Sequence, residues 1–284
     1  MTVVTTVPKP QARRSILDAL VDGWRNVVVL TRRNVVHIAR EPFSLSDATV
    51  QPILFTLLFV CVFGSAVPLA GTGGYKEFAL AGMILLNLTT SAAGTAVGLS
   101  SDLNTGVIDR FQTLPMWRAA VLVGRSISDV LQATLCASIV VLTGLAIGWR
   151  AQTSPLSVVG GLAVALCFAY SLSWGCACLG LATRDPESAQ GMGLLITFPL
   201  AGISNAIVPT QGLHPAWLRA IADWNPVSVV TSACRELFGN PNPSFTIKIW
   251  PMEHPVWAAL AWSVALMAVF APLGAHLYRR RTIE

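Results

Sequence analysis

Between Asp47 and Lys76 this chain carries no charged side chain, and between Glu77 and Asp102 it carries none again. A stretch of about 20 apolar residues crosses a hydrocarbon core, so each gap is long enough to be a membrane span. Four more charge-poor runs follow, and the six expected spans are 48–68, 78–99, 117–148, 156–182, 188–209 and 256–278. Of the 284 residues, 54% are hydrophobic and only 12% charged, about half the charged share of a soluble domain. The expected fold is an all-α integral membrane protein with six transmembrane helices, residues 42–284 forming one domain.

An even number of spans puts both termini on one side. With that side cytoplasmic, 14 of the 19 Lys and Arg residues fall inside. Lys76, Arg150, Arg219, Arg235 and Lys248 remain outside. Cytoplasmic segments are enriched in Lys and Arg, so the expected topology is multi-pass in the cell (inner or plasma) membrane with both termini cytoplasmic. Trp149, Trp217, Trp224, Trp250 and Trp257 gather near the expected outer interface, as an aromatic belt does. In the third span the charge-free part starts after Asp129. Its first turns, with Arg118, Arg125 and Asp129, therefore stand at the cytoplasmic surface.

Residues 1–14 are polar and proline-containing, and read as a disordered cytoplasmic tail. Residues 15–41 alternate as an amphipathic helix, with Trp24 on the apolar side and Arg25, Arg32 and Arg33 opposite. A basic helix with an apolar stripe suits the membrane interface. It also suits a cytoplasmic helix packed on a partner.

Residues 100–117 interrupt two apolar runs. Leu103, Val107, Phe111 and Leu114 recur at helical spacing and share one face. Asp109, Arg110 and Gln112 fall mostly elsewhere, and Pro115 ends the segment because proline disfavours helical geometry in the residue before it. The segment is either a surface helix pressed against another protein or an amphipathic helix lying on lipid. In the first case the apolar stripe is exposed in the isolated chain and buried in a complex.

Residues 210–238 are too apolar for a solvated loop and too interrupted for a span. Two short helices, 215–224 and 227–237, are expected on either side of Asn225-Pro226, with Arg235 and Glu236 near the end of the second. Such an outer-leaflet hairpin is tolerated at membrane depth only where protein or a wet cavity covers its backbone ends.

Gly94 and Gly98, like Gly144 and Gly148, have the spacing that permits close helix approach. Thr56, Asn87, Thr89, Thr90, Thr197, Ser204 and Asn205 are polar groups in or near lipid depth. They either line a translocation path or hydrogen-bond neighbouring helices. No span carries a mid-membrane carboxylate, which argues against an ion-coupled carrier. The four histidines have no metal-ligand spacing, and none of the three lysines follows a phosphate-binding glycine loop. The basic residues form no single patch, so nucleic acid is not an expected partner. Energy for active transport must then come from another polypeptide.

Three features now converge: the layout of a basic N-terminal helix, six spans and a long last outer loop; the stretch DRFQTLPMWRAAVLVGRSISD at 109–129; and NPVSVVTSACREL at 225–237. Together they resemble the membrane (permease) subunit of type-2 ABC exporters, within them the daunorubicin-resistance-type drug or lipid exporters. The resemblance covers essentially the whole chain. It implies a non-enzymatic permease that pairs with a second, identical or related permease and with two ABC ATPase subunits. ATP and Mg sit on those ATPases, with no cofactor on this chain and membrane lipid around it. Segment 100–117 becomes the coupling segment, whose helix around Thr105–Leu114 enters a cleft on the ATPase, with Leu103, Val107, Asp109, Arg110, Phe111, Gln112, Leu114 and Pro115 as its coupling residues. Trp24, Arg25, Arg32 and Arg33 brace that contact. The competing expectations are a non-transporting membrane scaffold and an ion-coupled secondary carrier.

Overall fold

A computed structural model describes Val36 and residues 42–64, 74–105, 120–210, 215–242 and 249–281. The tail and basic helix expected over 1–41 fall outside these residues, Val36 and its single helical assignment aside. So do Trp24, Arg25, Arg32 and Arg33. The coupling residues Val107, Asp109, Arg110, Phe111, Gln112, Leu114 and Pro115 also lie outside them.

Among the described residues the chain is helical, with no strand. Helix α1 (Pro42–Leu58) passes into a π-helical turn, Phe59–Phe63. Then come α2 (Gly74–Asn104), α3 (Ala120–Ala146), α4 (Pro155–Ala182) and α5 (Pro186–Gly202). Two short helices follow, α6 (Ala216–Trp224) and α7 (Pro226–Phe238), then a single turn, α8 (Trp250–Glu253), and the long α9 (Pro255–Arg281). Four of the helices, α2, α3, α4 and α9, are long and apolar enough to cross a membrane.

Several helix starts follow one local rule. Ser154-Pro155, Asp185-Pro186 and Asn225-Pro226 open α4, α5 and α7. In each, the first residue accepts a hydrogen bond from a backbone N–H inside the helix: Ser157 N, Ser188 N and Val227 N. The side chain thus satisfies one orphan donor of the first turn. Proline follows where its missing N–H costs nothing and its fixed φ is already helical. Asn225-Pro226, which reads as a break in an apolar run, is the start signal of α7.

Helix α2 is the axis of the bundle. At 1.5 Å per residue its 31 residues span about 46 Å. Phe78, Leu80, Met83, Ile84, Leu85 and Leu88 are all fully buried on it. All but Phe78 pack with Phe168 of α4 and with Val229, Val230, Ala233 and Phe238 of α7 in one continuous core, while Phe78 joins Val60, Tyr75 and Ala79 in a smaller cluster. At the end where α2 finishes, Leu99, Trp174, Leu181 and Tyr278 tie α2, α4 and α9 together in a second cluster. Leu195 and Phe198 of α5 are each 72% exposed and Val264 of α9 67%. Apolar faces of that extent call for lipid or a partner to cover them.

One interfacial expectation is corrected here. Trp217, Trp224, Trp250 and Trp257 are exposed, but Trp149 is buried. Its ring meets Phe238 edge-on with centroids 5.7 Å apart, because the turn after α3 folds back onto the end of α7.

Candidate functional site

Each end of α2 carries a buried or half-buried arginine that joins it to other elements. At the α2–α3 end, Arg125 of α3 reaches across to α2. Its Nη1 lies 3.7 Å from Asp102 Oδ2, and its Nε 3.5 Å from Asp129 Oδ1, one helical turn further along α3. Its Nη2 donates to the Gly94 carbonyl at 3.4 Å. Asp129 is held in turn by the Thr95 hydroxyl of α2, which donates to Oδ2 at 2.9 Å. A Cβ on Gly98 would overlap the Arg125 guanidinium, whereas one on Gly94 would meet nothing. Gly98 is therefore a notch for an arginine. Its GxxxG partner Gly94 contributes a carbonyl.

The brace sits where segment 106–119 leaves α2 and re-enters α3. Leu103, expected in the exposed stripe of that segment, is half-buried against the cluster of Leu99, Trp174, Leu181 and Tyr278. Part of the Leu103 surface is thus already covered by the core of the chain itself. Thr105 closes the helix by donating its hydroxyl to the Ser101 carbonyl at 2.9 Å.

At the opposite, hairpin end, Arg235 of α7 is fully buried. Its Nε donates to the Phe78 carbonyl at 3.0 Å, and its Nη2 to the Asn205 and Ala206 carbonyls at 2.8 and 3.2 Å. The guanidinium carbon stands 3.6 Å from the centroid of the Phe78 ring. Arginine stays protonated where lysine would not, so this is a buried cation held by carbonyl dipoles and an aromatic face.

Of the carbonyls that Arg235 holds, that of Phe78 belongs to α2, and those of Asn205 and Ala206 belong to irregular backbone just past α5. Further α7 side chains serve the same segment. Ser228 Oγ accepts from Asn205 N at 2.9 Å, and Asn205 Nδ2 donates to Ser232 Oγ at 2.8 Å. Tyr75 of α2 donates its hydroxyl to the Ile207 carbonyl at 3.0 Å. Asn225 donates Nδ2 to the carbonyls of Leu200 and Ile203, both at 2.7 Å, closing α5 while its Oδ1 caps α7. The segment presses so tightly on α2 that a Cβ on Gly82 would overlap the Ala206 carbonyl. Pro226 opens α7 beside Asn225, and Glu236 near its other end is exposed.

Thr56, Asn87, Thr89, Thr197, Ser204 and Asn205 are buried, and Thr90 is half-buried. Several spend their donors on helix carbonyls: Asn87 on Met83, Thr90 on Leu86, Thr197 on Gly193 and Ser204 on Ala201. Asn205 is drawn into the Arg235 joint, and beside it Ser204 Oγ accepts from Ala206 N at 3.2 Å.

The ABC-2 type transporter family model matches residues 25–238, three quarters of the chain. The daunorubicin resistance ABC transporter permease protein DrrB1 of Streptomyces coeruleorubidus is 34% identical over 285 residues, covering 99% of this chain and 97% of its own length. This chain belongs to the ABC-2 type transporter family. A probable doxorubicin resistance ABC transporter permease protein, DrrC of Mycobacterium tuberculosis, is 23% identical over 88% of this chain and 87% of its own. A putative transport permease of Porphyra purpurea, ycf38, is 25% identical over 89% and 87%.

The protein is thus an ABC-2 permease subunit, a multi-helix membrane protein, and the scaffold and carrier alternatives are not favoured. Sequence reasoning missed the brace in this permease. Arg125 and Asp129 are expected only to stand at the cytoplasmic surface, yet their i,i+4 spacing with opposite charge is a readable pairing signal. Nothing in the sequence alone marks Gly98 as the notch that receives them. The Arg235 joint was half visible: Asn225, Pro226 and Arg235 stood out, but Ser228, Ser232 and Tyr75 did not.

Proposed function

We propose that this permease exports an amphipathic drug or lipid, driven by ATP hydrolysis on two separate ABC ATPase subunits that carry the ATP and Mg. A second permease, identical or related, completes the transporter. The observation that carries the reading is the near full-length 34% identity to a daunorubicin resistance permease. The excess of Lys and Arg on one side supports a cell-membrane location with both termini cytoplasmic. That orientation puts the Arg125 brace inside and the Arg235 joint outside.

Six spans are reached by adding α1 with its π turn and α5 to the four long helices. At 17 residues α5 is about 25 Å long, short of a hydrocarbon core of roughly 30 Å. In this reading, irregular backbone past α5 completes the crossing. Polar backbone at that depth must be satisfied by protein, and the bonds from Ser228, Arg235, Asn225 and Tyr75 supply what it needs. Helices α6 and α7 then form the outer-leaflet hairpin, with the exposed Trp217 and Trp224 at the interface.

The coupling segment, from Leu103 through Val107, Asp109, Arg110, Phe111, Gln112 and Leu114 to Pro115, engages the ATPase. The basic N-terminal helix with Trp24, Arg25, Arg32 and Arg33 braces the contact. The candidate path residues Thr56, Asn87, Thr89, Thr90, Thr197, Ser204 and Asn205 are packed inside one chain, so a path past them opens only when α1, α2 and α5 separate.

Co-expression with the ABC ATPase of the same transporter tests the reading. The ATPase should co-purify, and inverted membrane vesicles should accumulate doxorubicin only with ATP. Phe111→Asp or Arg110→Glu should lower ATP turnover. Uptake driven by an ion gradient without ATP would sink the proposal.

A further inference from the structure

We propose that Arg125 is a positioning residue for energy coupling. Seated in the Gly98 notch, it locks the two stems of segment 106–119 into one rigid strut, through which motion at that segment reaches the spans. The inference rests on the exporter reading above and adds the residue that transmits the motion.

The argument is mechanical. Segment 106–119 is attached to the bundle by the end of α2 and the start of α3. If those stems are independent, a push on the segment splays them and dissipates. If they are joined, α2 and α3 move together. Helix α2 is also the helix against which α4, α5 and α7 pack, so a displacement of its end is delivered to the core. Arg125 makes the joint with both α2 and α3: Asp102 and the Gly94 carbonyl on one side, Asp129 on the other. Thr95 fixes Asp129, so the acceptor is pre-oriented. The guanidinium fork fits this task, because it donates in several directions at fixed angles, which an ammonium does not. The side chains of Arg125, Asp102 and Asp129 are only 23%, 21% and 15% exposed. They are therefore partly shielded from the screening that makes surface pairs weak.

The two glycines provide an internal control. A Cβ at residue 98 falls on the guanidinium, the movable end of a side chain, and displaces it while leaving the helix backbone room. A Cβ at residue 94 touches nothing. Gly98→Ala therefore removes the strut without removing a charge, and Gly94→Ala does neither.

The test uses the complete transporter, permease with its ABC ATPase, in proteoliposomes with doxorubicin as the probe. ATP turnover and doxorubicin moved per ATP are measured separately. In Gly98→Ala and Arg125→Met the complex should assemble and hydrolyse ATP, while doxorubicin moved per ATP falls about fivefold or more, the size of a typical coupling between sites. Arg125→Lys should recover part of the loss, and Gly94→Ala should match the parent. Adding Gly98→Ala to Arg125→Met should change nothing further, because residues acting through one contact are not additive. An unchanged ratio in both single variants overturns the proposal, as does full additivity of the pair. Loss of assembly in Arg125→Met with an unchanged ratio in Gly98→Ala also overturns it, since the role is then structural. A second readout is independent of transport. On a cysteine-free background, spin labels at Asn104 and Val123 should give a distance distribution that broadens in Arg125→Met and not in Gly94→Ala. An unbroadened distribution overturns the strut even if the exporter reading has failed. Absence of ATP-driven uptake by the parent transporter overturns the exporter reading.

Discussion

Arg125 and Arg235 sit at opposite ends of the same helix and solve the problem of a buried cation differently. Arg125 meets two carboxylates, remains nearly a quarter exposed, and rests in a notch whose wall is a glycine. Arg235 is fully buried and is held by three carbonyls and the face of Phe78. The contrast separates two uses of charge. Carboxylates around a partly exposed arginine make a joint that a small displacement undoes. Carbonyls around a buried one make a joint whose removal leaves acceptors stranded in a dry interior. The first suits a coupling element and the second a fixed part of the frame.

The largest expected effect follows from the frame. Arg235→Met keeps much of the side-chain length but strands the carbonyls of Asn205 and Ala206, which lie outside any helix. Each buried acceptor left unmade costs about 1–3 kcal/mol, so the melting temperature of the detergent-solubilised permease should fall sharply and Arg235→Lys should recover little. Arg125→Met should cost less, since the Asp102 and Asp129 carboxylates that it leaves behind keep some contact with solvent and Asp129 keeps its bond from Thr95. Equal melting temperatures for the two variants would erase the distinction between frame and joint.

The notches give the next comparison. A methyl group at residue 82 collides with backbone, the Ala206 carbonyl, and one at residue 98 with a side-chain tip. Backbone cannot step aside cheaply. Gly82→Ala should therefore destabilise by about 1–3 kcal/mol, the usual cost of overpacking. Gly98→Ala should leave thermal stability almost untouched, helped by the better helix propensity of alanine. Thermal melts of the two variants check this. A Gly98→Ala loss as large as that of Gly82→Ala would mean that the α2–α3 end is as rigid as the hairpin end.

What could be read from the sequence follows the physics of lipid. Long charge-free runs leave few folds open, so helices around 78–99 and 156–182 were legible, and α2 and α4 span them. Dipeptides such as Asn225-Pro226 carry a start signal that needs no tertiary knowledge. The joints were less legible because they depend on which glycine faces which side chain. Gly94 and Gly98 are identical in sequence terms, and only the crossing of α3 makes one a notch and the other open. Trp149 misled for the same reason: a tryptophan next to Arg150 at a span end reads as interfacial, and only the return of α7 buries it. The serines of α7 look like ordinary helix surface until the segment past α5 is laid against them.

The smallest effect concerns the two ends of α5, which repeat the contrast in miniature. Asn225, largely buried, holds the end of α5 near the hairpin with two bonds, whereas Asp185 caps its start at the surface. The Ser188 backbone N–H donates to Asp185 at 2.7 Å and the Ser188 hydroxyl at 2.9 Å. These bonds hold the Asp185 carboxyl below its ordinary range. A carboxylate whose pKa is lower in the folded protein contributes stability that is fully present above its unfolded value. That contribution fades as the pH drops through the folded value. Lowering the pH from neutral should therefore change nothing until about pH 4, the ordinary carboxylate range, and then loosen the first turn of α5. Asp185→Asn retains a capping oxygen without the charge and should flatten this acid response while keeping most of the cap. Hydrogen exchange at the backbone amide of Ser188 is the measurement. Faster exchange already at pH 7 in Asp185→Asn would show that the charge holds the turn. Unchanged exchange at pH 7, with the acid step removed, is the expected result, because the directed hydrogen bond from the Ser188 N–H, which an asparagine oxygen still accepts, rather than net charge fixes this end of the helix.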